Sequence, residues 1–171
     1  MNNQQKNNYV INQITNTTLN LLKEKELSMV SIKEITDAAQ VSRNSFYRNF
    51  TNKEDIISKY IQQLLTDWRN EYENSSNNNS KSNAEMYGSL FAHIKDNQTF
   101  YLLIKKRNLF HLVLNVFIQL YGAKTEHNNM EAYVTSFITY GTYGWIEEWI
   151  ARGMQESAET MNALLSSHGM K

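Results

Sequence analysis

The sequence predicts an all-α protein: an N-terminal three-helix domain containing a helix-turn-helix, followed by a C-terminal helical bundle. Three observations carry that expectation. Proline, the strongest breaker of a helix interior, is absent from all 171 residues. Apolar residues recur at helical rather than strand spacing along nearly its whole length. Residues 31–56, SIKEITDAAQVSRNSFYRNFTNKEDI, carry two short capped helix patterns joined by a tight turn and then the capped start of a third.

The first helix is expected from about Asn7 to Lys25, with Val10, Ile14, Thr17 and Leu21 on one stripe and Ile11, Thr18 and Leu22 beside it. Ser31 is a good N-cap for the second, and Glu34 three residues on completes a capping box. Val30 and Ile35 form the hydrophobic staple. Ile32, Ile35 and Ala39 give this helix one narrow apolar face. Ser42 caps the third, whose Phe46 and Phe50 lie one turn apart. Asn52 caps the fourth, with Glu54 and Asp55 in the first turn, where the helix dipole favours negative charge. A short helix, a turn and a polar-faced second helix make a helix-turn-helix. The domain boundary is placed between 1–52 and 53–171.

At 100° per residue, Phe46 and Phe50 leave Asn44, Ser45 and Arg48 on the opposite face, with Tyr47 and Asn49 flanking. Arg43, in the first turn, projects from the helix end. Arginine can grip guanine, asparagine adenine, and hydroxyls or amides can bond phosphates. A solvated helix of an ordinary bundle has much the same composition, so the polar face alone does not decide between the two.

The flanking pattern does. Ser31, Ile35, Ala39, Val41-Ser42, Phe46-Tyr47, Phe50, Asn52-Lys53 and Ile56 resemble, in order and spacing, the DNA-binding domain of TetR-family bacterial regulators. The resemblance covers about one third of the chain. It implies phosphate contacts at Ser31, Ser45, Tyr47, Asn49 and Lys53, and base reading mainly at Arg43 and Asn44, with Arg48 on the same face. Four positions depart from the family pattern. Gln40 replaces a turn glycine, where a positive φ would cost about 1–2 kcal/mol. Thr36 replaces a small alanine, Asn44 a frequent glycine, and Asn49 the usual histidine or tyrosine.

Composition agrees with a small cytoplasmic regulator. The chain has no cysteine, which removes disulfides, thiol nucleophiles and cysteine metal sites. The N-terminus lacks the apolar core of a signal peptide. The stretches 108–123 and 132–146 are shorter than the ~20 residues of a membrane span. Net charge is zero. Residues 1–60 hold eight Lys/Arg against six Asp/Glu, and residues 61–171 nine against eleven. The bias has the right sign for DNA but is small. Affinity would therefore come from local contacts rather than a broad basic field.

After a fourth helix through Ile57, Tyr60, Ile61, Leu64, Leu65 and Trp68, the apolar-free run NSSNNNSKSN at 74–83 reads as a flexible surface loop. Helices are expected near 84–96, 98–107 and 108–121, the last ended by Gly122. A long helix from about 129 to 152 carries Met130, Val134, Phe137, Gly141, Trp145 and Trp149 on one stripe. Gly153 ends it, and Ser157 caps a short helix with Met161, Leu164 and Leu165. Gly141 and Gly144 each cost about 1 kcal/mol relative to alanine, which points to close helix packing or to a ligand approaching the backbone. In the family resembled, the last two long helices form the dimer interface. That assigns Phe137, Gly141, Trp145, Trp149, Met161 and Leu165 to it, with core packing inside one subunit as the alternative. Residues 149–154 with Ser157 and Met161 also resemble the C-terminal region of the DhaS-type subgroup.

Phe91, Tyr101, Phe110, Phe117 and Tyr140 are candidates for lining an apolar effector pocket; taken one at a time, each is more readily a core residue. No histidine pair or acidic cluster has metal-ligand spacing, and neither a metal nor a cofactor is expected. No phosphate-binding glycine loop or nucleophile elbow is present, so an enzyme is not expected. The function expected is a DNA-binding transcriptional regulator, a repressor that recognises a pseudo-palindromic operator as a homodimer and responds to a small apolar effector. The alternative is a TetR-like co-regulator acting through a protein partner without a small-molecule ligand. No membrane partner is expected.

Overall fold

The computed structural model describes residues 2–75 and 82–169. Most of the expected surface loop at 74–83 lies outside the described residues. Among those described, the chain forms helices and connecting turns: α1 (Asn3–Glu24), α2 (Ile32–Ala38), α3 (Arg43–Asn49), α4 (Lys53–Asn74), α5 (Asn83–Asp96), α6 (Gln98–Lys106), α7 (His111–Tyr121), α8 (Asn129–Ala151) and α9 (Ala158–Leu164). The chain divides into two compact units, Met1–Gln62 and Gln63–Lys171, and the division falls within α4. No helix is long and apolar enough to cross a membrane among the described residues.

In the first unit, α1 starts four residues earlier than its apolar stripe indicates. Asn2 caps it and Gln5 reaches back to the Asn2 N–H, a full capping box. Its core-facing residues are Ile14, Thr15, Thr18 and Leu22. Thr18 is tolerated there because its hydroxyl donates to the Ile14 carbonyl at 2.8 Å. A single 3-10 turn, Leu27–Met29, follows; no sequence signal marked it. The capping box expected at α2 forms only in part. Ser31 Oγ accepts from the Glu34 N–H at 3.0 Å, but the Glu34 carboxylate turns to Lys25 at 2.7 Å, a cation outbidding a neutral amide. Val30 and Ile35 are both buried, as a staple requires, in a cluster with Ile14, Ala39, Phe46, Phe50 and Ile56.

Gln40 carries the turn between α2 and α3 with φ of 55°. The strain expected at this position is therefore real, and the Val41 N–H bond to the Thr36 carbonyl at 3.0 Å closes the turn. Thr36 is buried and donates within hydrogen-bond range to both Ile32 and Lys33 carbonyls, at 3.0 Å each. Its hydroxyl is thus accommodated where an alanine would need nothing.

The second unit packs α5 against α9, α7 against α8, and α6 against α8 and α5. Phe91, Ile94, Ile104, Ile146 and Trp149 lie at its centre, each side chain worth roughly 1.5–3 kcal/mol of burial. The helix expected from 108 begins only at His111, because Asn108 takes a left-handed φ of 57° and ends the preceding segment. Gly122 is required where it stands: a Cβ there would lie 2.5 Å from the Ile118 carbonyl oxygen. Gly153, at φ of 79°, reverses the chain after α8, and the Met154 N–H returns to the Trp149 carbonyl at 2.8 Å.

Candidate functional site: a reading helix and a helical cavity

The helix α3 is fixed from behind and open in front. Phe46 and Phe50 are fully buried, and Phe46 meets Tyr47 edge-on with ring centroids 5.3 Å apart. Arg43, Asn44, Tyr47 and Arg48 are exposed, Tyr47 by 60 %. None of these four makes a side-chain hydrogen bond or ion pair among the described residues. Two cationic forks, an amide and a phenol thus stand on one helix with their donors unengaged, the chemistry that base edges and phosphates require.

The remaining positions carried over from the family pattern are engaged inside the unit. Ser45 is half-buried, and its hydroxyl lies 2.9 Å from that of Ser42, which caps α3 by accepting from the Ser45 N–H. Asn49 donates back to the Ser45 carbonyl at 2.9 Å. Ser31 is exposed and uses only an acceptor lone pair in capping α2, leaving its hydroxyl proton available. Lys53 differs most from expectation. Its ammonium donates to the carbonyls of Leu27 at 2.7 Å and Val30 at 2.6 Å, with Ser28 at 3.5 Å. The first residue of α4 thereby fastens the chain leading into α2.

A second fastening was not read from the sequence. Lys59 donates to the Asn49 carbonyl at the C-terminal end of α3, pairs with Asp55 at 3.2 Å and lies over the Phe50 ring at 5.2 Å. A cation on the last carbonyls of a helix complements its dipole. The sequence signal was only a lysine four residues after an aspartate, a spacing common on solvated helices. What it could not show is that the lysine reaches a carbonyl ten residues earlier.

In the second unit a cavity of about 330 Å³ opens among four helices. Its α4 wall holds Trp68, Arg69, Tyr72 and Glu73, and α5 adds Met86, Tyr87 and Leu90. Phe117 and Tyr121 come from α7, and Thr135, Ile138, Thr139 and Thr142 from α8. Of the residues expected to line a pocket, only Phe117 does so. Phe91 and Tyr101 are core residues, Phe91 meeting Trp149 edge-on at 5.7 Å. Phe110 is buried against Tyr143 at 5.7 Å. Tyr140 lies on the outer face of α8, 53 % exposed. Aromatic identity alone does not separate a wall from a core, because both reward the same burial. The missed signal was the threonine spacing 135, 139, 142, which places small polar side chains on one face of an otherwise apolar helix.

The outer face of α8 is unusually apolar. Met130, Tyr133 and Phe137 are each about 70 % exposed, and added Cβ atoms at Gly141 and Gly144 would meet nothing within 4 Å. The glycines therefore relieve no crowding inside this chain. Trp145 is half-buried beside them. Trp149, Met161 and Leu165, assigned from sequence to an interface, are instead buried in the unit's own core. A continuous helical stripe turned inward at its C-terminal half, where α6 packs on α8 and Phe91 of α5 meets Trp149.

Two family models match the chain. The model described as bacterial regulatory proteins of the tetR family matches residues 14–60, and the one described as a transcriptional regulator C-terminal region matches residues 81–168, just over half the chain. The first match spans the capped segment and the reading helix; the second spans most of the cavity wall and the exposed α8 face. No curated protein matches the chain.

Proposed function

The chain belongs to the tetR family of bacterial regulatory proteins and is a DNA-binding transcriptional regulator, not an enzyme; from that premise we propose a homodimeric repressor released from its operator by a small apolar effector. The observation that carries the DNA-reading part is the set of unengaged donors on α3: Arg43 and Asn44 read base edges, while Tyr47, Arg48 and the Ser31 hydroxyl hold phosphates. Two copies of α3 enter successive major grooves of a pseudo-palindrome, with half-site centres about 10–10.5 base pairs or a multiple apart.

The exposed α8 face supports the dimer. Apolar patches of this kind mark interaction sites, and the two open glycines allow a second helix to approach closely. The cavity supports the effector. Its α4 residues lie on the same helix as Lys53 and Lys59, which hold the reading head by its carbonyls. A ligand that shifts the last turns of α4 acts on α3 through those lysines, and a tenfold loss of operator affinity needs about 1.4 kcal/mol of coupling. Four of the eight residues of the DhaS-type likeness, Trp149, Ile150, Met154 and Met161, are core positions, and the likeness leaves the ligand-controlled reading in place.

The test is to recover bound genomic fragments with the purified chain and measure binding to the operator they define. Arg43→Ala should relax preference at one base per half-site and cost about 1–3 kcal/mol. A screen of apolar metabolites by thermal shift should then yield compounds that release the operator. Loss of affinity in Arg43→Ala without a change of base preference would remove Arg43 from the reading role. A monodisperse monomer at micromolar concentration would favour the co-regulator alternative, in which the α8 face takes a different protein.

A further inference from the structure

The geometry points to an uncharged, flat, largely apolar molecule as the ligand of the second-unit cavity, excluding carboxylates and amines; this inference rests on the effector reading above. The two charged groups of the lining neutralise each other: Arg69 Nε pairs with Glu73 Oε1 at 2.8 Å. The same guanidinium lies over the Tyr121 ring at 5.7 Å, so it is held on two sides. Both ionic side chains are more than half exposed, which puts the pair at the rim, not in the interior. The Glu73 carboxylate holds Arg69 even more firmly protonated than usual.

Further in, the Trp68 indole and two of the threonine hydroxyls already have partners. Trp68 Nε1 donates to Ser89 Oγ at 3.0 Å, Thr139 donates to the Tyr121 carbonyl at 3.0 Å, and Thr142 donates to the Tyr87 hydroxyl at 3.3 Å. What these residues then present is rings and methyl groups. Trp68 and Tyr72 stack at an interplanar angle of 19°, a flat double wall that suits a planar ring system. Thr135, also on the lining, makes no hydrogen bond among the described residues, so its hydroxyl can orient a ligand oxygen. An ionised ligand group would enter without a counter-charge unless it displaced one member of the Arg69–Glu73 pair. Desolvating an ion without a partner is penalised far more than desolvating a hydroxyl.

The test uses three probes of one shape, naphthol, naphthoate and naphthylmethylamine, titrated calorimetrically into the full chain at neutral pH. Naphthol should bind about tenfold or more tighter than either ion, since an unpaired buried charge costs more than the 1.4 kcal/mol that a tenfold ratio represents. Met86→Trp, which places an indole in the cavity from a partly exposed position, should abolish that binding. Glu73→Gln frees Arg69 and should raise naphthoate relative to naphthol by about tenfold. If naphthoate or the amine binds the unmodified chain as tightly as naphthol, and Met86→Trp removes it, the ligand class is wrong while the effector role stands. If naphthol binds as expected but never releases the operator, the ligand class stands and the control mechanism fails. Binding of none of the three, or binding that Met86→Trp leaves intact, overturns the inference.

Discussion

The face of α3 and the face of α8 invert each other's lesson. On α3, apolar spacing put Phe46 and Phe50 inside, and Arg43, Asn44, Tyr47 and Arg48 stand outside with their donors open. On α8, one apolar stripe serves two environments: Phe137 is 71 % exposed, and Trp149, twelve residues on, is 2 % exposed. A short amphipathic helix with a single covered side declares its exposed face by exclusion. A long helix that is apolar along its whole stripe does not declare which part its own chain covers.

The largest effect that can break this comparison is in the pair Trp149→Ala and Phe137→Ala. Trp149→Ala should lower unfolding stability by about 3–5 kcal/mol, as loss of a buried aromatic does, and the loss should not depend on protein concentration. Phe137→Ala should leave the fold of one chain within about 0.5 kcal/mol and instead raise the monomer fraction on dilution. Denaturant unfolding and sedimentation at several concentrations separate the two. Equal concentration dependence for both would mean that Trp149 also serves the interface and that the division of α8 is mistaken.

A smaller effect sharpens the α3 side. Lys53→Met removes an ammonium that holds the Leu27 and Val30 carbonyls, so it should destabilise the first unit by about 1–3 kcal/mol. Operator affinity should fall, but the slope of log affinity against log salt should not change. A lysine that contacts phosphate would instead remove about 0.9 from that slope. Salt titrations of both proteins on one operator fragment decide whether Lys53 positions the head or grips the backbone.

The smallest effect concerns His93. Its Nε2 is buried with no hydrogen-bond partner among the described residues, and its ring lies 6.4 Å from that of Trp68. Burial pushes its pKa below the ordinary 6.5, against the pull of Glu71, Asp96 and Asp67. The unfolded chain therefore takes up the proton first as pH falls. The stabilising contribution is complete above about pH 6.5 and declines as pH drops through the range between that value and the folded pKa. His93→Gln should flatten this part of the stability profile. A thermal-unfolding series from pH 7.5 to 5 with unchanged slope in the variant would assign the acid loss to other groups.

Much of this protein was determined locally. Caps at Ser31, Ser42, Asn52 and Ser157 and the 3.6-residue periodicity of Phe46 and Phe50 all act within one or two turns of the chain. Neighbouring residues suffice to specify them, so the helix order and the reading helix were legible from the sequence alone. Only the tertiary structure decided which apolar residues form walls, which fill the core and which face outward. Tyr140 and Tyr143 sit three residues apart on one helix, yet the first is exposed and the second buried, because α8 is covered on one side only. It likewise decided that Lys53 and Lys59 turn to carbonyls distant in sequence rather than to solvent. A lysine's identity fixes its charge and reach, but its partner is set by which backbone ends the fold brings within that reach.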